Sequence, residues 1–112
     1  MELLFASSTL ERCCTESDEA RKKWGLDRAI VVQRRLVQLD AAKDLSVIAS
    51  LPGAKLRLLK ADRRTVYAVD ALDPFELVFE ALSKDGQGLT EEADLSCVET
   101  IKVTKIESRH GR

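Results

Sequence analysis

Aromatic residues are scarce in this 112-residue sequence: three Phe, one Trp and one Tyr, 4% of the chain. A surface that reads bases by stacking needs several exposed rings, so aromatic readout of nucleic acid has little material here. Histidine occurs once and no Cys-x-x-Cys pair is present, which leaves nothing resembling a zinc site. Cys13, Cys14 and Cys97 make an odd count, and adjacent cysteines rarely bridge each other, so no disulfide framework is expected. No apolar run approaches the roughly 20 residues of a membrane span. The opening Met1-Glu2-Leu3-Leu4-Phe5 has an acid where a signal peptide carries a base. A Gly-rich phosphate loop, a nucleophile elbow and a metal motif are all missing. These absences point to a cytoplasmic protein without membrane contact, metal or cofactor. A hydrophobic fraction of 45% suffices for a packed core, and the length fits one domain over residues 1–112.

The near-neutral total charge of −1 hides strong segregation. Residues 1–20 carry one base and five acids, and residues 21–64 carry twelve bases and four acids. Residues 65–101 then hold nine acids against Lys84 alone, and residues 102–112 hold four bases and Glu107. A basic block is thus followed by an acidic block of similar size. Either the two blocks pair with each other in the fold, or one face presents charge to an anionic partner.

The periodicity separates an N-terminal helical half from a C-terminal strand half. Leu3–Phe5 suits a short strand. Ser7-Ser8-Thr9 offers capping hydroxyls, and a helix is predicted from about Thr9 to Trp24, stopped by Gly25. Ala29, Val32, Leu36 and Leu39 recur at helical spacing and predict a second helix that follows an Asp27 cap, with Arg28, Arg34, Arg35 and Gln38 on its other faces. Asp44 can cap one further short turn before the break at Leu51-Pro52-Gly53. Strands are expected at Leu56–Lys60, Thr65–Val69, Phe75–Glu80 and Cys97–Ile106. Asp62-Arg63-Arg64 and Leu72-Asp73-Pro74 read as turns, and Lys84–Asp94 as a loop. Helices first and consecutive strands later predict an α+β fold, β-α-α-β-β-β-β, with two N-terminal helices packed on one side of a mainly antiparallel sheet. Cys13 and Cys14 read as small helix residues, one buried and one partly exposed, and Trp24 as a core anchor.

Leu39-Asp40-Ala41-Ala42, then Leu51-Pro52-Gly53, then Leu56-Arg57-Leu58-Leu59-Lys60-Ala61-Asp62-Arg63 resembles the HigB branch of the RelE/ParE toxin superfamily. The strands around Val66-Tyr67-Ala68-Val69 and Phe75-Glu76-Leu77-Val78-Phe79 follow at that family's spacing. The resemblance covers residues 25–80 well and the ends more loosely. It implies a RelE-like fold and the toxin of a type II toxin–antitoxin system. HigB-like members cut messenger RNA on the ribosome without a metal, and a HigA-like helix-turn-helix antitoxin neutralises them. The antitoxin, not the toxin, would then contact DNA. ParE-like relatives inhibit gyrase instead, and a fold relative that has lost catalysis would act as a protein-binding module.

Carried onto this chain, the resemblance assigns Lys60 to the scissile phosphate and His110 to proton transfer. Arg57 stands where HigB-like toxins often have a histidine, and an Arg there clamps phosphate but does not shuttle protons. Arg63, Arg64, Lys102, Lys105 and Arg109 are the expected RNA phosphate contacts. Two positions depart from the family pattern. Glu76 stands where the third strand commonly has an arginine, and Arg109 where a tyrosine precedes the last histidine.

Overall fold

A computed structural model describes residues 1–61, 64–88 and 94–109, with the backbone alone at residues 60 and 61. Strand β1 (Glu2–Phe5) is followed by helices α1 (Ser8–Thr15), α2 (Ser17–Trp24), α3 (Leu26–Ala41) and α4 (Leu45–Ala49). Strands β2 (Arg57–Ala61), β3 (Arg64–Asp70), β4 (Phe75–Leu82) and β5 (Thr100–Ser108) then complete a five-stranded sheet in the order β1-β5-β4-β3-β2. The β1–β5 pair is parallel and the other three pairs are antiparallel. The chain is therefore α+β, with a mixed, mainly antiparallel sheet. Among the described residues no helix is long and apolar enough to cross a membrane.

The single helix expected over 9–24 is broken at Glu16, whose backbone leaves helical geometry (φ −105°, ψ 118°). The break has a packing cause. Cys14 and Ala20 are both buried, yet six residues place two side chains about 120° apart around a continuous helix. Two short helices with different axes turn both inward. Glu16 serves both, since its N–H donates to Arg12 O at 3.0 Å and its carbonyl accepts from Ala20 N at 2.9 Å. Asp18 and Glu19 in the first turn of α2 and Arg21, Lys22 and Lys23 in its last turn complement the helix dipole. Gly25, at φ 81°, joins α2 to α3 with a backbone that side-chain-bearing residues rarely adopt.

Helix α3 buries Ala29, Val32, Leu36 and Leu39, as their spacing predicts. It also buries Arg35, which corrects the expectation that Arg35 lies on a face away from the core. The Arg35 guanidinium donates to Asp70 O (3.0 Å), Gln38 Oε1 (3.0 Å) and Gly53 O (2.6 Å), and lies 3.3 Å from Asp70 Oδ2. It thus ties α3 to β3 and to the 3-10 turn at Pro52–Ala54. Asp44 caps α4 through Ser46 N at 2.9 Å, and its carboxyl is held below the usual range first by the hydrogen bond from the Ser46 hydroxyl and then by that backbone contact.

The core lies between the helices and one sheet face, where Tyr67, Val69, Leu77, Phe79, Ile101 and Val103 are almost fully buried. Phe79 stacks on Tyr67 with centroids 6.0 Å apart. Trp24 packs against this core from the end of α2, and Cys14 is buried while Cys13 is half-buried. The final strand starts at Thr100 rather than Cys97, because Leu95–Cys97 form a 3-10 turn capped by Asp94. Arg64 belongs to β3 and not to the expected turn, while Asp62 and Arg63 lie outside the described residues. Of the expected 84–94 loop, residues 84–88 fold back so that Gly88 bridges Leu82, and residues 89–93 lie outside the description.

Candidate functional site

Strand alternation puts one set of sheet side chains on the face away from the helices. Arg57, Arg64, Ala68, Glu76, Val78 and Glu80 share that face by register. A β-bulge in β5 adds Lys102, Lys105 and Glu107 to it. Phe79 pairs with Val103 and Val78 with Lys105, which leaves Thr104 as the extra residue. Its hydroxyl donates to Val78 O at 3.1 Å. Without that bulge, Lys102 and Lys105, at odd separation, would point to opposite faces. The bulge also keeps Ile106 with the apolar set that packs against the core.

The charges on this open face are organised in two clusters. In the first, Arg57 Nε donates to Glu76 Oε2 at 2.6 Å and its Nη2 to Glu76 Oε1 at 2.7 Å. This bidentate pair spans β3, joining β2 to β4. Its burial is lopsided: the Glu76 side chain is 5% exposed and that of Arg57 42%. Hydrogen bonding to Glu76 raises the pKa of Arg57, opposed by burial and assisted by the charges of Glu76 and Glu107. Lys105 and Glu107 pair beside it at 3.2 Å. In the second cluster, Glu80 lies 3.8 Å from Arg64 and 3.6 Å from Lys102. Gly88 approaches this carboxylate so closely that a Cβ there would stand 2.3 Å from Glu80 Oε2. Ala68 and Val78, both buried, form an apolar floor flanked by these charged side chains.

The basic and acidic blocks of the sequence therefore pair with each other. Arg35–Asp70, Arg57–Glu76 and Arg64–Glu80 each join a residue of the first block to one of the second. The C-terminal bases join in through Lys102–Glu80 and Arg109–Asp73.

No protein-family model matches this chain, and no curated protein matches it.

Of the eight site residues singled out by sequence, Arg57, Arg64, Lys102 and Lys105 come together on the open face. Arg109 follows β5, with its N–H on Pro74 O at 2.8 Å and its guanidinium on Asp73. Lys60 lies in β2 opposite Thr65, in an uninterrupted strand three positions from Arg57 and hence at the opposite parity. No turn after Leu59 re-aims that position. Arg63 and His110 lie outside the described residues. Sequence reasoning singled out Glu76 only as a departure from the family's arginine, and missed Glu80. Their signal was present, since both fall out of phase with Leu77, Phe79 and Ala81 in β4 and so had to leave the core face.

Among the described residues, no three His, Cys, Asp or Glu side chains converge as metal ligands. On the helix side, Leu3, Phe5, Cys14, Gln33, Leu36 and Val37 line an open groove of about 560 Å³. Burial pushes the Cys14 thiol there up to about 12, with Cys13 adding to the shift, so it stays protonated and unreactive near neutral pH.

Proposed function

We propose that this chain is a HigB-like toxin with a RelE-like fold, a metal-independent endonuclease that cuts messenger RNA on the ribosome. The observation that carries this reading is the open sheet face, where Arg57, Arg64, Lys102 and Lys105 converge from three strands on the side the helices leave uncovered. Phosphate contacts of this kind position an RNA strand without reading its sequence. The scarcity of aromatic residues fits such backbone recognition, with codon selection left to the ribosome. The residue 39–63 motifs described above supply the rest of the support. On this reading His110 transfers a proton and Arg63 and Arg109 extend the phosphate contacts, while position 60, at the opposite parity in β2, stands apart from them. The protein acts in the cytoplasm, and a HigA-like helix-turn-helix antitoxin holds it inactive.

The test is a reconstituted translation system with purified ribosomes and a defined message, followed by primer extension. Cuts within translated codons that depend on added protein are expected. Intact message at stoichiometric protein overturns the proposal. The ion pairing of each described open-face base supports a second reading, a RelE-fold binding module without catalysis. That module binds its antitoxin and leaves both message and ribosome-bound RNA uncut.

A further inference from the structure

Helix α3 buries Ala29, Val32, Leu36 and Leu39, yet it carries a second apolar stripe turned roughly 120° from the first. Leu26 is 57% exposed, Ile30 48% and Val37 68%, the most exposed large hydrophobic residues among those described. At about 100° per residue these three fall within about 40° of one another, and exposed Ala41 continues their line. The solvent ridge of a surface helix ordinarily carries polar or charged residues. Here the exposed Asp27 and Arg34 stand together on one flank of an apolar ridge.

Asp27 and Arg34 are two turns apart, roughly 10 Å along the axis, too far to pair with each other within one chain. Among the described residues neither forms an ion pair. Their positions are self-complementary, because they lie equally far on either side of the midpoint between Ile30 and Val31. A second copy of α3 laid antiparallel across that midpoint sets Asp27 of each chain against Arg34 of the other. The same two-fold operation brings Ile30 against its own copy on the axis and sets Leu26 of each chain beside Val37 of the other. Residue i meets j and j meets i, the requirement of an isologous contact. The two-fold also keeps the charged flanks of both helices on one side of the apolar seam, so both ion pairs form there. A helix of another protein would have to supply the same order of charge, which a second copy already carries.

We propose that α3 is a homodimer contact, in which Leu26, Ile30 and Val37 pack antiparallel against their copies in a second chain and Asp27 and Arg34 form reciprocal ion pairs at its rim. The inference is independent of the nuclease reading, because α3 lies on the core side of the sheet and the contact leaves the open face uncovered. One helix per chain buries less than the roughly 1,200 Å² of a stable interface, so the dimer is weak and forms with rising concentration.

Sedimentation equilibrium of the full chain, from about 10 to 500 µM to span micromolar affinities, reads the association. The wild type should pass from monomer to dimer over that range. Ile30→Asp sets two carboxylates on the axis and should stay monomeric, with the circular dichroism of the folded protein because Ile30 lies outside the core. Asp27→Arg and Arg34→Asp each place like charges opposite one another and should weaken the dimer by about tenfold. An equimolar mixture of these two variants makes both pairings opposite again and should recover wild-type association, which a merely structural effect of either substitution would not give. A wild type that stays monomeric at the highest concentration overturns the proposal and leaves the ridge to a helix of a different protein. A dimer that survives Ile30→Asp, or charge variants that gain nothing on mixing, overturns it as well. If Ile30→Asp does not fold, the mixing experiment decides.

Discussion

Replacing Arg35 with Met tests how the fold is held together. The substitution keeps an unbranched stem of helical propensity and removes the guanidinium. Gly53 O and Asp70 O lose their donors at 2.6 and 3.0 Å, in a region where Arg35 itself is only 6% exposed. Each stranded carbonyl costs about 1 kcal/mol or slightly more. The Asp70 carboxylate, with its side chain 21% exposed, loses its cation but partly rehydrates, which adds about another 1 kcal/mol. The expected loss is therefore about 3 kcal/mol, the lower end for breaking a buried ion pair. At about 4 °C per kcal/mol for a chain of this size, Tm should fall by about 12 °C. Urea unfolding followed by far-ultraviolet circular dichroism gives the free energy, and a thermal melt gives Tm. A loss under about 0.5 kcal/mol is surface behaviour and would refute the tie between α3, β3 and the Pro52–Ala54 turn.

The Arg57–Glu76 pair should respond unequally to loss of either partner. Arg57→Met strands a carboxylate that is 5% exposed and should cost about 2–3 kcal/mol, whereas Glu76→Gln frees an already half-exposed arginine and should cost about 1 kcal/mol, both read from urea unfolding. Equal costs would contradict the lopsided burial. Iodoacetamide at pH 8 should label exposed Cys97 first and leave Cys14 unmodified in the folded protein, as mass spectrometry of the peptides would show. Asp44 and Asp94 are held below their usual carboxyl range by hydrogen bonds from Ser46 and Ser96. A depressed folded pKa adds stability above the unfolded value, and that stability disappears as pH falls through the folded one. Melts below about pH 4 should therefore show a steep loss of stability, shallower in Asp44→Asn and Asp94→Asn than in the parent.

Much of the architecture was legible because it depends on local periodicity. The spacing of Ala29, Val32, Leu36 and Leu39 places one face of α3 in the core, and Asp44 caps a short helix where a capping residue precedes an apolar run. Arg35 was misplaced because its charge was given more weight than its position. It stands three residues after Val32 and four before Leu39, on the buried stripe, and a buried arginine requires partners that only the folded chain brings together. The bulge at Thr104 also left a trace, since Ile101 and Val103 share a parity that Ile106 does not. The Arg57–Glu76 contact was not legible. It joins strands separated by β3, and its existence depends on two registers that one sequence does not specify. Glu76 was therefore visible as a departure from a resemblance, and its role depends on the guanidinium that meets it.

The most direct test of the nuclease reading is to map messenger RNA 5′ ends in cells induced to express the wild type or His110→Ala. Growth arrest with new 5′-hydroxyl ends inside translated codons is expected for the wild type, with those ends lost in His110→Ala. Normal growth and an unchanged set of 5′ ends with folded wild-type protein would contradict it.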